Sequence, residues 1–153
     1  MKTFLPLVLI PLGILACNAP SAQTGSDSNS QAAPVGSLDQ DDLVAITEIV
    51  IEEVWPPYYW QRISQLALDW VSTSSPLPDQ VLGKKVVPYK SQDRWSGPGQ
   101  ALQLRFGSPQ GSVVEVEART IHPIGWPGVT RFEVEWRQRQ WHLKTILSQE
   151  EYL

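Results

Sequence analysis

From residue 102 onward the apolar residues fall on every second position, which restricts this half of the chain to β-strands with one buried face. Leu102, Leu104 and Phe106 alternate with Gln103 and Arg105, and Val114, Val116 and Ala118 with Glu115, Glu117 and Arg119. Thr130, Phe132, Val134 and Trp136 alternate with Arg131, Glu133, Glu135 and Arg137; Trp141, Leu143, Thr145 and Leu147 alternate with His142, Lys144 and Ile146. Gly107-Ser108-Pro109-Gln110-Gly111 and Gln138-Arg139-Gln140 separate these runs and read as hairpin turns. A further short strand is expected at 85–89, where Pro88 suits a sheet edge.

Before residue 80 the period is helical. Leu43, Ile46, Val50 and Val54 recur at spacings of three and four. Ser37 is the expected N-cap, with Gln40 completing a capping box and Asp39, Asp41 and Asp42 favoured in the first turn. Pro56-Pro57 stops this helix near Trp55. A second helix is expected from Pro57, with Tyr59, Ile63, Leu66 and Trp70 on its apolar side beside Trp60 and Ala67, ending at Ser72-Thr73-Ser74-Ser75-Pro76. The expected fold is α+β: two N-terminal helices packed on a twisted antiparallel sheet of four to five strands. Charge is segregated likewise, −7 over residues 37–79 and +5 over residues 80–147.

The N-terminus adds an address. Lys2 precedes about a dozen apolar residues, the pattern of a signal peptide over residues 1–16, too short for a permanent membrane span. Ile14-Leu15-Ala16-Cys17 resembles the lipobox of bacterial lipoproteins. The resemblance implies cleavage by signal peptidase II before Cys17, a diacylglycerated and often further palmitoylated cysteine, and residence in the cell envelope. With Asn18 next, the family's sorting rule implies the periplasmic face of the outer membrane in a Gram-negative cell. The other reading is an ordinary signal peptide followed by a free thiol. Each buried methylene adds about 0.8 kcal/mol, so two or three acyl chains hold firmly. Asn18 to Gly36 has no aromatic residue and one valine, and reads as a flexible tether reaching about 25 Å. The expected organisation is signal peptide 1–16, lipidated cysteine and tether 17–36, one domain 37–148, and a C-terminal tail 149–153.

Two helices followed by paired strands that close on Trp141 to Ile146 resemble the nuclear-transport-factor-like group, with a cystatin-like or other helix-on-sheet layout as the alternative. The former resemblance implies a cone-shaped α+β domain. Its enzymatic members carry an Asp–His pair in the mouth of the cone, and no residue here maps onto that pair.

Composition excludes several classes. Among 153 residues, 42% hydrophobic and 18% charged is a globular balance and not that of a disordered, collagen-like or coiled-coil chain. A net charge of −4 argues against nucleic acid as a partner. A single cysteine excludes an intramolecular disulfide or a Cys-based zinc cluster, and His122 and His142 lie in separate segments, so no metal and no cofactor is expected. No nucleophile elbow, phosphate loop or calcium loop is present.

Glu115, Glu117, Glu133 and Glu135 suit glycoside chemistry only as a pair of acids, whereas their period-two spacing with Arg119, Arg131 and Arg137 suits a charge ladder on one solvated face. His122 is a general base at a pocket rim or the end of a strand. Lys84-Lys85 and Lys90 to Arg94 form a small basic cluster. Trp60, Trp70, Trp136 and Trp141 sit in periodic segments and are expected in the core. Trp95 and Trp126 lie between glycines and prolines, and Tyr58 follows the double proline beside Tyr59; these are the candidates for an interaction surface, or else caps on the core. The expected role is a non-enzymatic interaction or assembly function at the membrane, with an envelope protein as partner. The alternative is a small-ligand-binding or cyclase- or hydrolase-like protein with a pocket between helices and sheet.

Overall fold

In the computed structural model, which describes residues 36–90, 100–121 and 128–151, Asp39 and not Ser37 caps the first helix. Its carboxylate accepts from the Asp42 N–H at 2.9 Å, and Asp42 accepts from the Asp39 N–H at 3.2 Å, so the capping box is built from two aspartates. Helix α1 runs Gln40–Val54 and buries Leu43, Ile46, Thr47, Val50 and Ile51. It ends at Trp55, whose backbone is extended because Pro56 disfavours a helical residue before it.

The expected second helix is a correction. Only one turn forms, α2, Pro57–Trp60, with Pro57 at its start. Residues 65–71 are instead a strand, β1, Gln65–Val71. Ile63, Leu66 and Trp70 do fall at helical spacing, but Leu66, Ala67 and Leu68 are consecutive and all fully buried. A contiguous apolar run of this length belongs to a strand covered on both faces.

The sheet is therefore larger than expected and mixed, not antiparallel throughout. Seven strands lie in the order β2-β3-β1-β4-β5-β6-β7, the others being β2 (Gln80–Val81), β3 (Lys84–Pro88), β4 (Gln100–Phe106), β5 (Val113–Ile121), β6 (Gly128–Arg137) and β7 (Gln140–Glu151). β1 pairs in parallel with β3 on one side and with β4 on the other, while β4 to β7 form the expected antiparallel meander. Pro88 stands opposite Leu68 of β1 but lies beyond the reach of β2, which pairs only with Lys84 and Lys85, so on its outer side this proline faces no strand. β7 continues to Glu151, through residues expected as a tail.

One helix covers one face. Leu66, Leu68 and Trp70, Leu102, Leu104 and Phe106, Val114, Val116 and Ala118, and Phe132 and Val134 point from the sheet into one core with α1. The expected alternation holds in β4 and β5, and in β6 at Phe132 and Val134, while Thr130 and Trp136 are half-buried. In β7 it does not: the β6–β7 register slips by one residue twice, so Ile146, not Leu147, stands opposite Phe132. On the opposite face Arg131 pairs with Glu117 at 3.1 Å, one of the anticipated cross-strand contacts, while Glu133 takes Lys144 at 2.9 Å instead of an arginine. Asp69 accepts from Gln103 on the same face at 3.0 Å.

Candidate functional site

At the C-terminal end of α1 the chain makes a tight aromatic knuckle. Trp55 is buried, and the one turn of α2 returns Trp60 onto it, ring centroids 6.1 Å apart and planes 15° from parallel. The turn is closed by bonds from the Tyr59 and Trp60 N–H groups to the Pro56 carbonyl at 2.9 and 3.2 Å. Buried Ile63 anchors the exit. The sequence folds this way because two prolines end one helix and start the next turn, leaving four residues to reverse direction.

The apex of the knuckle is Tyr58 and Tyr59, exposed at 57% and 49%. Their rings meet edge to face at 5.4 Å. The Arg62 guanidinium lies 4.3 Å above the Tyr58 ring, and Lys84 Nζ, from β3, lies 5.6 Å above the Trp60 ring. Such cation–π contacts contribute about 0.5–1 kcal/mol where exposed, and they hold the rings in fixed orientations. Glu52 and Glu53 are exposed on the last turn of α1, which leads into the knuckle. The result is an amphipathic surface: two phenols with apolar bodies and polar tips, with cations over the Tyr58 and Trp60 rings.

Tyr58 and Tyr59 are thus exposed side chains and not caps on the core. Trp95, Trp126, His122 and Cys17 lie outside the described residues. Of the tryptophans expected in the core, Trp70 and Trp141 are buried, whereas Trp136 and Trp60 are half-buried. Sequence reasoning missed Arg62 and Lys84 as partners of the aromatic rings. The one available signal was Arg62 standing four residues after Tyr58, a spacing at which side chains on one helical turn meet.

A half-open cleft of about 300 Å³ lies at the other end of α1. Leu38, Leu43 and Phe106 contribute its apolar wall, and Ser37, Ser72, Thr73, Ser74, Ser75 and Ser108 its hydroxyls. No ionisable side chain is among these described lining residues, so they can bind through hydroxyl groups but offer no acid–base pair. His142, on the charged face opposite Glu135, is half-buried. Among the described residues no group of three His, Cys, Asp or Glu side chains is placed to hold a metal ion.

No family model matches the chain, and no curated protein or solved structure is significantly similar to it.

Proposed function

We propose that this chain is a lipid-anchored envelope protein that acts by contact, its domain presenting the Tyr58–Tyr59 knuckle to a protein partner at the membrane. The observation that carries the contact reading is the exposure of two adjacent tyrosines on a turn that the Trp55–Trp60 stack and the Arg62 contact hold rigid. Rigid aromatics lose little entropy on binding, and tyrosine, tryptophan and arginine dominate the energetics of protein interfaces. The anchor rests on the lipobox resemblance at Cys17. Tethering through a segment of about 25 Å root-mean-square reach would hold the domain near the bilayer and raise its effective concentration toward other envelope proteins.

Two measurements test this reading in cells expressing the full chain. A palmitate analogue should label the wild type, and Cys17→Ala should lose the label and become soluble; an unlabelled wild type removes the anchor. Partners recovered from detergent-solubilised membranes should be lost from a Tyr58→Ala, Tyr59→Ala variant of unchanged melting temperature. Equal recovery by both proteins removes the knuckle as the contact surface.

A further inference from the structure

The two edges of the sheet differ. β2 is two residues long and offers almost no template for a further strand. β7 is the longest strand among the described residues, and its outer side borders no strand of the sheet. An edge of this length presents backbone N–H and C=O groups ready to pair with another chain. Near its middle Ile146 and Leu147 are exposed at 42% and 47%.

The register of β7 singles out one centre. Opposite Trp136, Val134, Phe132, Thr130 and Gly128 stand Trp141, Leu143, Ile146, Gln149 and Glu151. Because one register slip falls on each side of Ile146, these five positions are spaced two, three, three and two residues apart, symmetrically about Ile146. Gln138 and Arg139 form a two-residue turn with φ of 52° and 66°, which makes Arg137 and Gln140 the closing hydrogen-bonded pair. Alternation from that pair turns the N–H and C=O groups of the same five residues away from β6.

An antiparallel second copy with its two-fold axis at Ile146 presents the same five positions in return. Ile146 then meets Ile146 of the second copy, Leu143 meets Gln149, and Trp141 meets Glu151. A shift of one residue either way breaks the match. The charges agree with this register: His142 faces Glu150 of the second copy, Lys144 faces Ser148, and no two like charges are opposed. His142 Nε2 is shielded from solvent and has no hydrogen-bond partner within the described chain, and Glu150 of the second copy would bring a carboxylate to the same face.

We propose that two copies of this chain pair antiparallel through β7 about a two-fold axis at Ile146, joining their seven-stranded sheets into one with both α1 helices on the same face. The dimer is isologous, so it closes and does not propagate into a fibre. It depends neither on the lipid anchor nor on the tyrosine knuckle.

Sedimentation equilibrium of the full chain in density-matched detergent, from about 1 to 100 μM, tests it. The wild type should have the mass of two chains, and Ile146→Lys, which sets two like charges on the axis, the mass of one, with unchanged circular dichroism. Ile146→Cys should form an interchain disulfide, since directly opposed Cα atoms in such a pair lie about 5.5 Å apart, within disulfide reach. Gln149→Cys should not, its own counterpart being about 20 Å away along the strands. A wild type that sediments as one chain throughout overturns the proposal, as does a dimer in which Ile146→Cys fails to cross-link. If Ile146→Lys does not fold, the cross-link alone decides.

Discussion

Trp141 donates its indole N–H to Asp42 Oδ1 at 2.9 Å, joining the start of β7 to the start of α1 across 99 residues of chain. The same Asp42 side chain accepts from the Asp39 N–H, so one carboxylate closes the helix cap and clamps the last strand beneath it. Hydrogen bonds to charged acceptors contribute about 1.5–3 kcal/mol, and a cap about 1 kcal/mol. Asp42→Ala should therefore cost about 2–4 kcal/mol, more than a cap alone. A double-mutant cycle with Trp141→Phe, followed by urea unfolding, should return a coupling of about 1–2 kcal/mol. Additive losses would mean that the contact contributes nothing in solution.

A second tryptophan pins the middle of the same helix. Thr47 Oγ1 donates to the Leu43 carbonyl at 2.6 Å and accepts from Trp70 Nε1 at 3.2 Å, all within the core. Thr47→Val keeps the volume but strands a buried N–H, a loss of about 1–3 kcal/mol. Adding Trp70→Phe removes the stranded donor. The pair should then be less destabilised than the sum of the two single changes by about 1 kcal/mol, measured by thermal unfolding; a strictly additive pair would show that the bond is not coupled.

These two bonds also show where sequence reading reaches and where it stops. Leu43, Ile46 and Val50 of α1 and the core positions of β4 and β5 were legible because each element buries one face, and one-sided burial writes its period into the residues; Thr47 and Ile51, which widen the buried face of α1, lay outside the expected stripe. β1 was not, because it sits between parallel neighbours and is buried on both faces. Leu66-Ala67-Leu68 then carries no alternation, and the accidental spacing of Ile63, Leu66 and Trp70 imitates a helix. The slips in β7 were equally silent, since a bulge exchanges faces without changing composition, and Leu147 took the place that Ile146 occupies. Of the site, Tyr58 was legible as an aromatic beside a double proline. Lys84 over Trp60 was not, because the contact depends on β3 lying beside a turn 24 residues earlier in the chain.

The charged face gives a prediction at alkaline pH. The hydrogen bond to Glu133 raises the pKa of Lys144 above the ordinary lysine value, and the negative charges of Glu133 and Glu135 add to it. A base raised in the folded state contributes stability fully below its unfolded pKa of about 10.4, and loses that contribution as pH rises through the folded value. The urea midpoint should therefore be insensitive to this pair from about pH 6 to 9 and fall above about 10.4. Lys144→Met should flatten that alkaline fall while changing little at neutral pH, because the pair is exposed. Identical alkaline losses in both proteins would exclude the pair as their source.

The last prediction separates the two halves of the aromatic knuckle. Trp60 stacks on buried Trp55, so Trp60→Ala removes an aromatic pair contributing about 0.5–1.5 kcal/mol beyond the area it covers, and should cost about 2–3 kcal/mol in all. Tyr58 and Tyr59 touch each other, and Tyr58 touches Arg62, but both are about half exposed. Replacing both by alanine should cost no more than about 1 kcal/mol. Arg62→Ala should cost about 0.5–1 kcal/mol, the size of the exposed cation–π contact. If the double tyrosine variant melts with the wild type while Trp60→Ala melts well below it, the tyrosines are dispensable for folding and their exposed area is available for contact. In a complex centred on them the same double change should weaken binding by about 2 kcal/mol or more, some thirtyfold in Kd. A double variant that unfolds as readily as Trp60→Ala would instead place both tyrosines among the residues that hold α1 to the sheet.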